Sequence, residues 1–143
     1  MSLAKGIGSG FPMGAVLVSA EIAETVKPDE YGTTFGGGPL GCAAAEATVR
    51  VIEEEGLLAN VRAGSQRLQQ GLSGLPSVRE VRGEGFLLGL ALDRPGKPVR
   101  EALLQRGFLV GGSDLPDTLR LLPPLVLTAE EIDRFLEALG GIL

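Results

Sequence analysis

The chain has 143 residues, of which 44% are hydrophobic and 22% charged, a balance that describes a globular protein with enough apolar material for a core. It has no histidine and one cysteine, Cys42, which excludes an internal disulfide, a zinc cluster and any Ser-His or Cys-His catalytic pair. The net charge is −5 and the basic residues occur singly rather than in a stripe, which argues against a nucleic-acid surface.

The chain opens on "SLAKGIGSGFPMGA", with Lys5 set directly before a run of small residues. Glycine lets backbone turn sharply and lets other groups approach it closely. Residues 13–19, "MGAVLVS", then read as a short buried strand, β-branched and preceded by glycines. A short helix around "AEIAETV" follows and is stopped by Pro28, after which comes the glycine- and hydroxyl-rich loop "KPDEYGTTFGGGPLG".

Pro39 suits the first position of a helix. From there Leu40, Ala43, Ala44, Ala47 and Val51 recur at helical spacing, an alanine seam that implies close approach to another surface. Gly56 breaks the pattern, and a second long helix places Leu57, Leu58, Val61, Leu68 and Leu72 on one face. Beyond Pro76, "SVREVRGEGFLLGLAL" reads as two strands about a Gly83–Gly85 turn, "KPVREALLQRG" as a helix ending at Gly107, and "FLVGG" and "TLRLLP" as short strands. Thr128 and Glu131 form a capping box for a last helix whose stripe is Ile132, Phe135, Leu136 and Leu139. The expected division falls at the second long helix: residues 1–56, helix- and glycine-rich, and residues 57–143, a small α/β domain.

Without histidine, the available chemistry is lysine, carboxylate, hydroxyl, arginine or a borrowed cofactor. Three constellations carry it. Lys5 beside the glycine turn is either a solvated loop residue or a chemically used amine. Lys5 precedes its glycines, whereas a P-loop lysine follows them, and the glycines lead into a strand rather than a helix, so neither nucleotide fingerprint is met. Thr33 and Thr34, among glycines ahead of a helix, form either an ordinary loop or a phosphate cradle of hydroxyls and free N–H groups. Arg120 stands between Leu119 and Leu121 in a short strand, projecting from the opposite face; it is either simply exposed or a guanidinium fork for a substrate carboxylate. An amine, a phosphate cradle and a carboxylate clamp together suit pyridoxal phosphate and an amino-acid substrate.

Four segments in order resemble the class III pyridoxal-phosphate aminotransferases, the acetylornithine and ornithine aminotransferase family: "LAKGIGSGFPMGAVLVS", "YGTTFGGGPLGCAAA", "VRGEGFLLGLAL" and "TLRLLPPLVLTAEEID". The resemblance implies an α/β fold, the C-terminal part of an aspartate aminotransferase-like, fold type I transferase with a small C-terminal domain. It implies that Lys5 forms the internal Schiff base and shuttles a proton between the substrate Cα and the cofactor C4′. It implies that Thr34, with Thr33, contacts the cofactor phosphate, in a loop serving the neighbouring subunit of a homodimer, and that Arg120 binds the substrate carboxylate. Gly38 and Gly111 depart from the family, which commonly has asparagine at or near both positions. The family's N-terminal elements (the other phosphate loop, the ring-stacking aromatic and the aspartate on the pyridine nitrogen) have no counterpart in these residues.

The complete enzyme expected from this resemblance exchanges an amino group between an N-acylated ornithine-like donor and 2-oxoglutarate. The alternatives are another class III aminotransferase, acting on ornithine or aminobutyrate, and a silent chain that only folds and self-associates. A single unpaired cysteine, the lack of a signal pattern, and the lack of an apolar run near the ~20 residues of a membrane span point to a cytoplasmic protein without membrane contact.

Overall fold

In the computed structural model, which describes residues 1–28 and 30–143, the chain divides into two compact units, Met1–Glu55 and Gly56–Leu143. Asp29, inside the loop expected around it, lies outside the described residues.

The first unit begins with β1 (Ser2–Leu3) and β2 (Ala15–Val16), an antiparallel pair in which Ser2 faces Val16 and Leu3 faces Ala15. Between them Lys5–Gly8 forms one turn of 3-10 helix. Helix α1 (Ala20–Thr25) is capped by Ser19, whose hydroxyl accepts the Ile22 N–H at 3.4 Å. Helix α2 (Pro39–Glu54) starts at Pro39, whose missing N–H costs nothing in a first turn. The buried strand expected over residues 13–19 is not found: the ladder is confined to Ala15–Val16, and Val16, Leu17 and Val18 are exposed, Val16 by 69%. A strand is covered on both faces only where further strands and layers supply the cover, and within this unit β2 pairs with β1 alone. The alanine seam is likewise half-open, with Ala44 and Ala47 half-buried and Leu40 and Val51 exposed. What packs on α2 in this unit is the Lys5–Gly8 turn.

The second unit is a four-stranded antiparallel sheet in the order β3-β4-β6-β5, covered on one face by three helices. The strands are β3 (Val78–Glu84), β4 (Leu87–Leu92), β5 (Gly111–Gly112) and β6 (Thr118–Leu121). The helices are α3 (Leu57–Ser73), α4 (Gly96–Gln105) and α5 (Ala129–Gly140). Alternation along the strands turns Leu88, Leu90 and Leu92 of β4 and Leu119 and Leu121 of β6 inward. There they meet Leu68 and Leu72 of α3, Val99 and Leu103 of α4, and Ile132, Phe135 and Leu139 of α5. The opposite face carries Arg82, Leu87, Gly89 and Arg120. An antiparallel sheet tolerates one such open face.

Local chemistry explains the joints. Gly56 sits at φ 62°, in the left-handed region that glycine enters without a Cβ penalty, so α2 ends there and α3 begins. The β3–β4 hairpin closes through Gly85–Phe86, and Phe86 is buried against α3 at Gly64. Thr128 and Glu131 form both hydrogen bonds of the capping box on α5. At the other end of α5, Arg106 donates to the carbonyls of Ala138 at 2.8 Å and Gly141 at 3.3 Å, satisfying groups with no helical partner. Two expectations change. Leu58 is exposed, because it follows Leu57 on the helix and so points about 100° away from it. The strand expected over "FLVGG" shrinks to Gly111–Gly112: Phe108 turns into the helical layer instead, its ring 5.6 Å from that of Phe135 and edge-on.

Candidate functional site

Lys5 begins the 3-10 turn with φ 58°, and Ser9 closes it with φ 46°. These are the two non-glycine residues in the left-handed region among those described. Each carries a local cost of order 1–2 kcal/mol for an L-residue, which persists only where surrounding contacts hold the turn. Phe11, just past the turn, lies against Gly41 of α2, and Gly8 is buried beside Met13 of the same segment. Lys5 itself is exposed and makes no salt bridge among the described residues. Its amine is therefore presented from a strained, packed turn and not from a floppy loop.

Thr33 and Thr34 are exposed in the loop ahead of α2. The loop tightens through Gly36 and Gly37. A Cβ at Gly36 would overlap the Thr33 methyl at 2.0 Å, and Gly37 takes φ 69°. Gly38 is the N-cap of α2 and has no side chain to fill the first turn, which also lacks any acidic residue. The N–H groups of Leu40 and Gly41 are therefore open by helix geometry, at the positive end of a 16-residue helix. Hydroxyls beside such N–H groups are a donor set for an anion.

Arg120 is exposed on β6 between buried Leu119 and Leu121, as alternation requires. It lies opposite Gly89 of β4 on one side and Gly111 of β5 on the other. It too makes no salt bridge among the described residues. Lys5, Thr33 and Thr34 thus belong to the first unit, with the Lys5 turn on the helix that the threonine loop leads, and Arg120 belongs to the second. The cross-strand row through Arg120 also takes in Gly89 and Arg82 of the β3–β4 hairpin. Their only trace in the sequence is the alternation of β3 and β4, which says which face they occupy but not which strand lies beside them.

The donors present fit pyridoxal phosphate: an amine for its aldehyde, two hydroxyls and open N–H groups for its phosphate. Among the described residues no cluster of His, Cys, Asp or Glu could hold a metal ion, and no helix is long and apolar enough to cross a membrane.

Comparison with known proteins agrees with this chemistry. The family description "Aminotransferase class-III" matches residues 1–143. Acetylornithine aminotransferase 1 of Bordetella parapertussis is 43% identical over 147 residues, covering 100% of this chain and 37% of that protein. Acetylornithine aminotransferase of Streptomyces coelicolor is 43% identical, covering 100% of this chain and 36% of that protein. Among solved structures, the ornithine aminotransferase of Toxoplasma gondii superposes with a TM-score of 0.90 at 29% identity, over 99% of this chain and 35% of that one. Acetylornithine aminotransferase of Elizabethkingia anophelis also gives 0.90, at 27% identity over 99% of this chain and 39% of that one. The chain thus spans well under half the length of these relatives. The fold is that of the pyridoxal-phosphate-dependent aminotransferases of fold type I, and the family depends on that cofactor. With a match along its whole length, the chain belongs to the class III aminotransferase family.

Proposed function

We propose that this chain is the C-terminal part of an acetylornithine-type aminotransferase that uses pyridoxal phosphate to exchange an amino group between an N-acylated ornithine-like donor and 2-oxoglutarate. The observation that carries the reading is the strained Lys5 turn packed on α2, the helix whose open N-terminus the Thr33–Thr34 loop leads. The relatives at 43% identity, named acetylornithine aminotransferases, favour that donor over ornithine or aminobutyrate.

In this reading residues 1–56 are the C-terminal remnant of the large cofactor-binding domain, and residues 57–143 are the small domain. Bound cofactor supplies an aldehyde carbon and an electron-withdrawing ring. Lys5 would hold the cofactor by its aldehyde carbon through Nζ, and the same amine would carry the proton taken from the donor's Cα. The hydroxyls of Thr33 and Thr34 and the first N–H groups of α2 hold the phosphate, serving the neighbouring subunit of a homodimer. Arg120 orients the substrate by its carboxylate through a two-pronged hydrogen bond. The lone Cys42 suits a reducing, cytoplasmic setting.

Labelling tests the assignment. The chain is incubated with pyridoxal phosphate, reduced with borohydride and mapped by peptide mass spectrometry. The pyridoxyl group should sit on Lys5; preferential labelling of Lys27 or Lys97 sinks the reading. A second reading, a chain that folds and associates without turnover, is favoured by the exposed apolar Val16, Leu17, Val18 and Ile22. Light scattering that finds only monomer, together with measurable aminotransfer, would remove it.

A further inference from the structure

We propose that Phe11 is the positioning residue for the Lys5 amine: its side chain spans from the buried end of the Lys5–Gly8 turn to the first turn of α2 and holds the turn in its left-handed form. The inference deepens the aminotransferase reading, on which the use of that amine rests. The seating of the turn itself does not depend on that reading.

The backbone brings the ring there. Past the turn, Ser9 at φ 46° and Gly10 at φ 104° reverse the chain. The Phe11 N–H then donates to the Gly8 carbonyl at 2.9 Å, and the Ser9 N–H to that of Gly6 at 3.0 Å. A Cβ at Gly8 would stand 3.5 Å from Phe11 Cβ, so the bare, buried Gly8 lets the side chain begin directly against the turn. A Cβ at Gly41 would stand 3.4 Å from Phe11 Cε1 and 3.9 Å from Cδ1, so the edge of the ring rests on the bare face of α2. Gly41 is the third residue of that helix.

Two anchors hold the loop between β1 and β2. At its base the ladder pairs Leu3 with Ala15, which closes the ends without fixing what lies between them. The outward side of the loop is open, since a Cβ at Gly6 or Gly10 would meet nothing within 4 Å. Phe11 is the second anchor, on the inward side. The other aromatics of this unit, Tyr31 and Phe35, are exposed by 81% and 89%, whereas Phe11 is half-buried. Apolar ring surface kept from water stabilises the arrangement that covers it.

The consequence falls on Lys5. A lysine and a serine held at positive φ return to ordinary backbone once the contacts that hold them are gone. Backbone torsion sets the direction in which the lysine side chain leaves the chain, and a change from φ 58° to the ordinary negative range turns that direction aside. The amine ends a flexible four-carbon stem, so the direction of the stem's root is what the fold can fix. Phe11 acts on the amine through that backbone.

Two measurements on the 143-residue chain test this, and neither needs turnover. In NMR without cofactor, Lys5 and Ser9 of the native chain should show the carbon shifts of positive φ. Phe11→Ala should return both to ordinary shifts and speed amide exchange at positions 9 and 11 by at least about tenfold, as release of a local contact predicts. Phe11→Tyr, which keeps the ring, should keep the native pattern. Unchanged second-unit resonances in each variant confirm that it folds. Each chain is then treated with pyridoxal phosphate and borohydride, and the pyridoxyl group on Lys5 is measured against that on Lys27, which reports any general loosening of the same unit. Phe11→Ala should lower this ratio at least about threefold, as loss of a set orientation predicts, and Phe11→Tyr should preserve it. Ordinary shifts at Lys5 in the native chain, or native shifts in Phe11→Ala, would overturn the proposal. Where the native label sits on Lys5, an undiminished ratio in Phe11→Ala overturns it too and leaves the aminotransferase reading standing. If Phe11→Ala releases the turn while the native label sits on another lysine, the seating by Phe11 stands and the aminotransferase reading fails.

Discussion

Arg67 of α3 grips Asp133 of α5 with both prongs of its guanidinium, Nε to Oδ1 at 2.6 Å and Nη2 to Oδ2 at 2.5 Å. This pair ties together two helices that share the core, from opposite ends of the second unit's sequence. The hydrogen bonds from Arg67 hold the Asp133 carboxyl below its ordinary value, against an opposing effect of desolvation and with a lesser contribution from the Arg67 charge. Because the folded value is depressed, the pair contributes stability above the unfolded aspartate's titration, and that contribution is lost as pH falls through the folded one. Both side chains are about half exposed, so the effect is small and screened by salt. Thermal melts of the native chain and Asp133→Asn should differ modestly near neutrality and at low salt, and converge in acid. A gap that persists unchanged below the carboxylate range would assign the pair no electrostatic role.

Gly64 should resist replacement by alanine. A Cβ there would lie 2.7 Å from Phe86 Cζ and 3.2 Å from Ile132 Cδ1, and both neighbours are buried. Alanine gains about 1 kcal/mol in helix propensity, but overpacking a tight core costs about 1–3 kcal/mol. Urea unfolding should therefore find Gly64→Ala destabilised by about 1 kcal/mol rather than stabilised.

Thr128→Ala should cost about 1 kcal/mol in the same measurement, since it removes the hydroxyl that accepts the Glu131 N–H at 3.3 Å. Glu131 would also lose a partner that holds its carboxyl below the ordinary value. A Thr128→Ser variant, which keeps the oxygen, should recover most of the loss.

Arg120→Ala, in the enzyme that contains this chain, should raise KM for both amino donor and oxo acid by about 10- to 100-fold. That range is the equivalent of ~1.5–3 kcal/mol for hydrogen bonds between charged groups. Cofactor absorbance should be unaffected. Unchanged kinetics would return Arg120 to an ordinary exposed strand residue.

Much of this architecture is written in short stretches, because the physics that produces it is short-ranged. Pro39 can open a helix, Gly56 can end one, and Thr128 with Glu131 can cap one, whatever the rest of the chain does. Alternation alone turns Arg120 away from Leu119 and Leu121. Tertiary placement settled the remainder. The left-handed backbone of Lys5 follows from packing of its turn on α2, some 40 residues on, and no propensity of lysine would suggest it. Exposure of Val16 to Val18 depends on what covers β2, so an apolar run could be read as a strand but not as a buried one. Arg82 and Arg120 share one row, with Gly89 between them, only because β3, β4 and β6 pair in one register; a slip of one residue would send every side chain to the other face. Residues 38 positions apart come to share one face of the sheet through ladder hydrogen bonds, which are made between segments and leave no mark within either one.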